Sequence, residues 1–211
     1  MSEVIHNGLG WASDADRLIY IGIPKTGSCS MREVIGVNIS GKNIDMYNLS
    51  EDRKSYRKFT VIREPFRRFA SAVYEGLKRP ETPRKIKNLN SIKNVPELIN
   101  EYLTILETDG FIEVHTVPQI CFIKNKEGGF FDIDKILIFE NLSADFKEMC
   151  NELGLEKRLN NRNVGDRGKS NKALEIILKN PKIKKRIQKL YKEDFEFYNK
   201  IKKEKDESKT K

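Results

Sequence analysis

The loop at residues 22–30 has the residue types and spacing best suited to chemistry, Gly-Ile-Pro-Lys-Thr-Gly-Ser-Cys-Ser. The apolar run 18–23 predicts a buried strand before it, and a helix is predicted from Ser28 onward. Such a junction gathers free backbone N–H groups and the positive end of a helix dipole, and Gly27 lets an anion approach closely. Further hydroxyl donors are Thr26, Ser28 and Ser30. The loop therefore predicts a binding site for a phosphate or a sulfate.

The position of Lys25 distinguishes this loop from the phosphate loop of nucleotide triphosphatases. In the Walker loop a lysine directly follows the second glycine and reaches the β and γ phosphates. Ser28 occupies that place here, whereas Lys25 precedes Gly27. Lys25 is therefore suited to contact a single bridging or leaving oxygen, which is a catalytic role as well as a binding role.

A second anion site is predicted one strand further along the chain. The apolar run 59–62 predicts that strand, Arg63 stands at its carboxyl end, and Pro65 opens a helix. The buried face of this helix is predicted to consist of Phe66, Phe69, Ala70, Val73 and Leu77. We expect Arg67, Arg68 and Ser71 to point away from it. The guanidinium of Arg63 and the hydroxyl of Ser71 are suited to hold one phosphate through charge-assisted hydrogen bonds. Two phosphate sites at adjacent strand ends suit a nucleotide phosphorylated at both its 5′ and 3′ positions.

The two motifs resemble those of a known family, the Golgi-type carbohydrate sulfotransferases. Residues 23–30 resemble the family's 5′-phosphosulfate loop, and residues 61–74 resemble its 3′-phosphate motif. The likeness continues in order along the chain at 115–119, 131–142 and 191–195. The resemblance implies a sulfotransferase that takes its sulfuryl group from PAPS (3′-phosphoadenosine 5′-phosphosulfate). It also implies a hydroxyl acceptor, carbohydrate in nature, and no metal cofactor.

The resemblance also assigns the donor site. The implied donor-binding residues are Lys25, Thr26, Gly27, Ser28, Cys29, Ser30, Arg63 and Ser71. Lys25 is expected to neutralise the oxygen that bridges sulfur to phosphate as that bond breaks. Two positions depart from the family pattern. Cys29 stands where the family commonly has threonine, and Thr116 replaces the tryptophan that usually follows the motif histidine.

The general base is sought among few residues, because the chain has two histidines. His6 lies near the amino terminus, whereas His115 lies in the motif 115–119. An imidazole with an ordinary pKa of about 6.5 accepts a proton near neutral pH, which favours His115 as the base. The alternative interpretation of His115 is a hydrogen-bonded structural residue. Glu113 and Glu64 are carboxylate alternatives for the base, although Glu64 is better suited to pair with arginines at the start of its helix.

Composition sets the class of protein and its surroundings. The chain has 211 residues, a formal net charge of +9 and a sequence pI of about 9.3, which favour anionic ligands. An odd number of cysteines, three, argues against a disulfide framework and for a reducing compartment. Neither a signal peptide nor a membrane-spanning apolar run is recognisable in the sequence. We therefore expect a soluble, cytoplasmic protein without a metal site.

The pattern of elements predicts the α/β class, as a single P-loop-like domain with a small, mostly parallel sheet flanked by helices. The domain is expected to span 1–205, followed by a disordered basic tail at 206–211. A helix is predicted at 95–107 and a strand at 136–139. The glycine-bearing loop 160–170 is predicted either to close over the nucleotide or to be an ordinary polar loop. Its candidate contact residues are Asn163, Arg167 and Lys169.

The basic carboxyl-terminal region raises the question of a polyanion partner. Its apolar residues recur at helical spacing beneath a basic face. They are Ile183, Ile187, Leu190, Tyr191, Phe195 and Tyr198. The favoured interpretation is a docked terminal helix with a solvated basic face, so no stable nucleic-acid partner is expected. The oligomeric state is not readable from the sequence.

Two other functions compete with sulfuryl transfer. One is a P-loop kinase with a degenerate loop, which would need ATP and magnesium; the absence of a lysine directly after Gly27 disfavours it. The other is a noncatalytic module that binds anions or nucleic acid, which only the net charge favours.

Overall fold

The computed structural model describes residues 9–36, 43–76, 94–111, 113–159 and 167–208. Within these residues the chain forms five strands and eight α-helices. They are β1 (Leu9–Ser13), β2 (Leu18–Ile21), α1 (Ser28–Val34), β3 (Ile44–Asp45), α2 (Glu51–Lys54), β4 (Arg57–Ile62), α3 (Pro65–Gly76), α4 (Val95–Thr108), β5 (Lys135–Ile138), α5 (Leu142–Glu152), α6 (Arg167–Lys179), α7 (Pro181–Leu190) and α8 (Lys192–Ser208). Short 3₁₀ turns lie at Gln119–Phe122 and Phe139–Asn141.

The described residues fall into two compact units, which we name by their content. The sheet unit comprises 9–36, 43–63, 119–159 and 198–208. The helical unit comprises 64–76, 94–111, 113–118 and 167–197. Since the chain passes between the units several times, neither is a continuous stretch of sequence. A single domain over 1–205 stays a prediction.

The sheet unit is built on strands in the order β3-β1-β2-β4-β5. Strand β2 runs parallel to β4, with Tyr20 opposite Phe59, and β4 runs parallel to β5, with Val61 opposite Leu137. Strand β1 is antiparallel to both of its neighbours. All of β2 is buried, as expected for a parallel strand covered on both faces. Because β2 and β4 are parallel neighbours, their carboxyl ends lie at the same edge of the sheet.

The hydrophobic core of the sheet unit joins the strands to α1 and α5. Aromatic rings form its centre, where the rings of Tyr20 and Phe59 lie 5.2 Å apart. The buried members of this core are Trp11, Leu18, Tyr20, Met31, Ile35, Phe59, Val61, Leu137, Phe146, Met149 and Cys150. This packing fixes α1 against the sheet and thereby holds the loop that precedes it.

The helical unit packs α3, α4, α6 and α7 around a second apolar core. Two helices begin at asparagine caps, since Asn94 accepts the N–H of Glu97 and Asn180 accepts the N–H groups of Lys182 and Ile183. The buried core residues are Phe66, Phe69, Ala70, Val73, Leu98, Ile99, Tyr102, Leu103, Ile105, Leu106, Ala173, Ile177, Ile183, Ile187 and Tyr191. They include Phe66, Phe69, Ala70 and Val73 from the predicted inner face of α3, whose fifth member, Leu77, lies outside the described residues. They also include three of the six residues of the predicted carboxyl-terminal apolar stripe, Ile183, Ile187 and Tyr191.

The α/β class and a small sheet flanked by helices are confirmed, with one qualification about strand direction. The strands predicted at 18–23, 59–62 and 136–139 form the parallel part, β2, β4 and β5. The sequence did not predict β1 and β3, which make the sheet mixed. Strand β1, with the sequence Leu-Gly-Trp-Ala-Ser, is not a continuous apolar run, and β3 has only two residues, so neither carries a clear strand pattern.

Several local predictions were wrong. Arg68 is 2% exposed rather than turned away from the core of its unit. Helix α6 begins at Arg167, inside the predicted loop 160–170; the side chains of Arg167 and Lys169 and all of Asn163 lie outside the described residues. The carboxyl-terminal stripe is divided between α7 and α8, and α8 continues to Ser208, three residues into the predicted tail. Residues 78–85, in which two prolines predict an exposed loop, also lie outside the described residues.

Candidate active site

The backbone of the loop between β2 and α1 adopts an unusual conformation. Lys25 has φ 68° and Gly27 has φ 90°, so left-handed residues stand on both sides of Thr26. A non-glycine residue in this region is uncommon and costs about 1 to 2 kcal/mol, so the packing of the surrounding structure must hold Lys25 there. Successive turns of this kind direct backbone N–H groups into a concavity that suits an anion. The first N–H groups of α1, which have no acceptor within the helix, face the same end of the loop.

Gly27 is favoured by backbone conformation, and the space around it is tight. A Cβ atom at this position would lie 3.2 Å from the ring of Phe139 and 3.4 Å from Leu142. Phe139 begins the 3₁₀ turn that follows β5, and Leu142 begins α5. The loop therefore lies against the segment that follows β5, and a larger residue at position 27 would require the Phe139 ring to shift.

The loop hydroxyls are used differently from the sequence prediction. The Thr26 hydroxyl, completely buried, donates to the carbonyl of Ile23 at 2.7 Å. The Ser28 hydroxyl donates to the same carbonyl at 2.7 Å and lies 3.0 Å from the Tyr20 hydroxyl. Burial raises the pKa of Tyr20, which keeps its proton available for Ser28. These two side chains thus brace the loop, and the donors they leave for an anion are their backbone N–H groups.

Cys29 and Ser30 occupy the first turn of α1. Both residues are half-buried, and Cys29 is a free thiol. The Cys29 sulfur accepts a hydrogen bond from Arg32 at 3.6 Å, while Arg32 also stacks over the Trp11 ring at 5.0 Å. The guanidinium of Arg32 therefore lies beside the helix start and adds positive charge there. The sequence analysis did not single out Arg32 or Trp11, because nothing in their local spacing marks them.

Arg63 joins the second predicted motif to the first. Its Nη1 donates to the carbonyl of Lys25 at 3.1 Å, and its guanidinium carbon lies 4.4 Å from the centre of the Phe139 ring. The structure thus brings together Lys25 and Arg63, as the prediction of two adjacent anion sites at strand ends requires. Phe139 serves both sites, because its ring supports the guanidinium and also lies against Gly27.

The backbone of Arg63 is held by a residue that the sequence analysis did not assign a role. Its N–H donates to Oε1 of Gln119 at 2.8 Å, and its carbonyl accepts from Nε2 of Gln119 at 2.9 Å. Gln119 is 2% exposed and opens a 3₁₀ turn. Gln119 belongs to the motif 115–119, but the motif alone does not reveal its partner.

Ser71 and His115 belong to the helical unit rather than to the sheet unit. Ser71 lies on α3 and is half-buried. The predicted pairing of Ser71 with Arg63 on one phosphate stays a prediction. The same holds for the predicted cooperation of His115 with Lys25.

His115 forms a short contact with a carboxylate. Its Nδ1 lies 2.7 Å from Oε2 of Glu113, and the same oxygen accepts the backbone N–H of His115 at 2.9 Å. Both side chains are largely buried, with 13% of His115 and 6% of Glu113 exposed. A carboxylate at Nδ1 favours the tautomer with a proton on that nitrogen, and it leaves the Nε2 lone pair as the basic position.

The segment around His115 is anchored to the helical core. Thr116, which replaces the family's usual tryptophan, is completely buried, and its hydroxyl donates to the carbonyl of Glu113 at 2.8 Å. The carbonyl of Thr116 accepts from the Tyr191 hydroxyl at 2.7 Å. Burial raises the pKa of Tyr191, so that phenol keeps its proton and remains a donor. The small threonine thus makes a local hydrogen bond in place of a large aromatic contact.

Glu64 has a different role from His115 and Glu113. Its carboxylate accepts the backbone N–H of Phe66 at 3.2 Å and that of Arg67 at 2.8 Å. It therefore caps the amino end of α3, as a carboxylate near a helix start commonly does. The predicted pairing of Glu64 with arginine side chains stays a prediction. These contacts favour Glu113 over Glu64 as the carboxylate next to a base.

Within the part of the chain that the structure describes, no group of three or more His, Cys, Asp or Glu side chains is arranged to hold a metal ion. None of the helices in that part is both long enough and apolar enough to cross a membrane. The metal-free site stays a prediction.

Comparison with known proteins adds the family. No curated protein and no solved structure matches the chain. A family model does match, that of the sulfotransferase family, and it covers residues 11–200. This range contains the loop 22–30, Arg63 and the motif 115–119, in the order that the resemblance requires. On this match over most of its length, the chain belongs to the sulfotransferase family, that of the Golgi-type carbohydrate sulfotransferases.

Proposed function

We propose that this protein transfers a sulfuryl group from PAPS to a hydroxyl group of an acceptor, and that the acceptor is a carbohydrate. The observation that carries the proposal is the contact between Arg63 and the carbonyl of Lys25 at 3.1 Å. It brings a phosphate-loop lysine and a strand-end arginine to one edge of the sheet. A donor that has phosphate groups at both its 5′ and 3′ ends suits such a pair.

The donor-binding residues fit a phosphosulfate group. The left-handed backbone at Lys25 and Gly27 directs N–H groups into the loop, and a side chain at position 27 would lie in tight contact with Phe139. PAPS, when bound, supplies the sulfuryl group and leaves as 3′,5′-ADP. Lys25 is the proposed cation for the oxygen that gains charge during this step. Arg63 and Ser71 are the proposed ligands of the 3′-phosphate.

His115 is the proposed general base. The contact of its Nδ1 with Glu113 supports this role, because the carboxylate orients the ring and stabilises the imidazolium after proton uptake. The proton of the acceptor hydroxyl would pass to Nε2. Glu113 is then a positioning residue. Its alternative role as the general base becomes the second choice.

The acceptor class rests on the family alone. The family implies a hydroxyl acceptor, and its carbohydrate members motivate the narrower proposal. The rival functions have less support. For the kinase, the Ser28 hydroxyl at the Walker lysine position donates to the carbonyl of Ile23. For the polyanion module, many exposed lysines of α8 form ion pairs within the helix, such as that between Lys192 and Glu196.

A reducing, cytoplasmic compartment is part of the proposal. The three cysteines, all within the part of the chain that the structure describes, form no disulfide, and Cys150 is buried in the core of the sheet unit. Free thiols of this kind are typical of reducing compartments.

A panel of nucleotides tests the donor. At a concentration of about 100 times its dissociation constant, a ligand stabilises the native state by about 2.7 kcal/mol. For a protein of this size that corresponds to a rise in Tm of roughly 5 to 10 °C. We expect 3′,5′-ADP to produce such a rise, and ADP and ATP to produce a smaller one. Equal shifts for the three nucleotides would contradict donor binding at two phosphate sites. Sulfuryl transfer from PAPS that persists in EDTA would separate this enzyme from a magnesium-dependent kinase.

A further inference from the structure

Arg63 lies where the sheet no longer supplies hydrogen-bond partners. The last pair of the parallel ladder between β4 and β5 is Ile62 with Ile138, and Arg63 follows it. Its backbone N–H and carbonyl therefore need partners from another part of the chain, since buried backbone groups without partners are costly. Partners for these two groups fix the direction of the backbone at Arg63, from which the guanidinium projects.

Gln119 supplies both partners from a position 56 residues away in sequence. Its carboxamide accepts the N–H of Arg63 at 2.8 Å and donates to the carbonyl of Arg63 at 2.9 Å. A primary amide is suited to this because it carries a donor and an acceptor side by side. It therefore replaces one rung of the sheet ladder. The Gln119 side is well shielded from water, because Gln119 is 2% exposed.

The turn that carries Gln119 is itself fixed in the sheet unit. Ile120 and Phe122 in the same 3₁₀ turn are buried, with 7% and 2% of their surfaces exposed. The N–H of Ile123 closes the turn on the carbonyl of Ile120 at 3.2 Å. A rigid support of this kind can hold the backbone of Arg63, whereas a mobile one could not.

The guanidinium of Arg63 is held at its other end by separate contacts. The Lys25 carbonyl accepts from Nη1 at 3.1 Å, and the ring of Phe139 lies 4.4 Å from the guanidinium carbon. The direction of the side chain thus depends on two supports, the carboxamide at the backbone and the loop and ring at the tip. Removing the carboxamide keeps the positive charge of Arg63 but leaves the backbone that carries it without two of its hydrogen bonds.

We propose that Gln119 is a positioning residue whose carboxamide holds the Arg63 backbone in the register that presents the guanidinium to the 3′-phosphate of the nucleotide. This inference rests on the proposed function. It predicts that Gln119 contributes to the discrimination between nucleotides with and without a 3′-phosphate, and not to general nucleotide affinity.

The test measures dissociation constants of 3′,5′-ADP and of 5′-AMP, which differ only in the 3′-phosphate, by calorimetry on the full chain. A complete charge-assisted contact is worth roughly 10- to 150-fold in affinity. In Gln119→Met, which keeps the length of the side chain but not its amide, we expect the preference for 3′,5′-ADP to fall by about tenfold, a part of that range. The affinity for 5′-AMP should stay nearly the same.

Thr60→Val is the matched control. The hydroxyl of Thr60 is completely buried in the same strand and donates to the carbonyl of Ile21 at 2.8 Å, so its loss also removes a buried bond from side chain to backbone. It does not contact the peptide of Arg63. We expect this variant to be less stable but to keep the wild-type preference. An equal loss of preference in Thr60→Val would assign the effect to general weakening of the strand and would overturn the proposal.

Other outcomes also decide the matter. An unchanged preference in Gln119→Met, or an equal loss of affinity for both nucleotides, would overturn the role of Gln119 while leaving the proposed function intact. A wild-type protein without any preference would contradict the two-phosphate donor site itself, and the proposal with it.

Gln119→Glu is the second variant, in case the methionine variant does not fold. The ionised carboxylate can still accept from the N–H of Arg63 but cannot donate to its carbonyl, whereas the protonated form can do both. Relative to wild type at the same pH, the preference should therefore be reduced at neutral pH and recover as the pH falls. A preference equal to that of wild type at every pH would overturn the proposal.

Discussion

Two regions are built on different principles. One is the predicted donor loop, residues 22–30 of the sheet unit, and the other is the pair His115–Glu113 of the helical unit. In the donor loop the polar side chains mostly serve the backbone, as Thr26 and Ser28 do at the carbonyl of Ile23. In the histidine pair two side chains contact each other directly, at 2.7 Å. The first arrangement offers an anion a shaped surface of backbone donors. The second arrangement offers a reaction a group that can take up a proton.

This difference teaches where each region is vulnerable. Backbone binding depends on conformation, so it is sensitive to residues that set φ or the position of a strand end. Proton transfer depends on one ring, so it is sensitive to a single side chain. Substitutions in the two regions are therefore expected to separate binding from turnover.

The largest effect is expected from His115→Ala, which removes the proposed base. Turnover should fall by roughly 10² to 10⁴-fold, because general base catalysis contributes about that much. Binding of 3′,5′-ADP should stay nearly intact, since His115 has no part in the donor loop. Single-turnover rates, measured with PAPS and a hydroxyl acceptor, provide the comparison.

Glu113→Gln refines this prediction. The amide can still accept from Nδ1, but it lacks the charge that stabilises the imidazolium, so the loss should be smaller than in His115→Ala. Wild-type single-turnover rates in His115→Ala would make the histidine structural and return attention to the carboxylates.

Arg63→Ala should have the next largest effect, and on binding rather than on chemistry. The preference for 3′,5′-ADP over 5′-AMP should fall by roughly 10- to 150-fold, the worth of a charge-assisted contact. Arg57→Ala is a matched control, because Arg57 begins the same strand and pairs with Asp134 at 2.6 Å on the surface. That variant should keep the preference. If the Arg63→Ala protein still preferred 3′,5′-ADP, the 3′-phosphate site would have to lie elsewhere.

Gly27→Ala should weaken nucleotide binding by about tenfold or somewhat more, because a left-handed alanine costs about 1 to 2 kcal/mol. The new methyl group would also meet Phe139 at 3.2 Å. Gly36→Ala is the control, since Gly36 has φ 78° but nothing within 4 Å of the added atom. It should lose stability without losing affinity for 3′,5′-ADP. The same affinity loss in both variants would show that strain alone, and not the shape of the loop, is responsible.

Cys29→Thr should have the smallest effect. It places at position 29 the residue that the family commonly has, and the affinity for PAPS should stay the same or rise by a few-fold, as expected for one hydrogen bond. Cys29→Val has the same shape without a hydroxyl, so the ratio of the two dissociation constants isolates the hydroxyl. A large loss in both variants would mean that the thiol is needed where it lies, beside Arg32.

The parts of the fold that local sequence encodes were predicted well. The runs 18–23 and 59–62 are continuous apolar segments, and they became the parallel strands β2 and β4. The junctions after them followed from the same patterns, so Lys25 and Arg63 could be assigned to strand ends. The short strands β1 and β3 carried no comparable pattern, and the sheet therefore proved to be mixed.

The sequence by itself determined the class of fold, the family and the two loops that carry Lys25 and Arg63. The tertiary structure alone decided which groups those residues meet. It buried Arg68, turned the hydroxyls of Thr26 and Ser28 toward a carbonyl, and paired Gln119 with a backbone 56 residues earlier. The physical reason is range. Strands and helices follow from the spacing of apolar residues within a few positions, whereas the partner of a buried polar group is set by whichever distant segment the packed core brings against it.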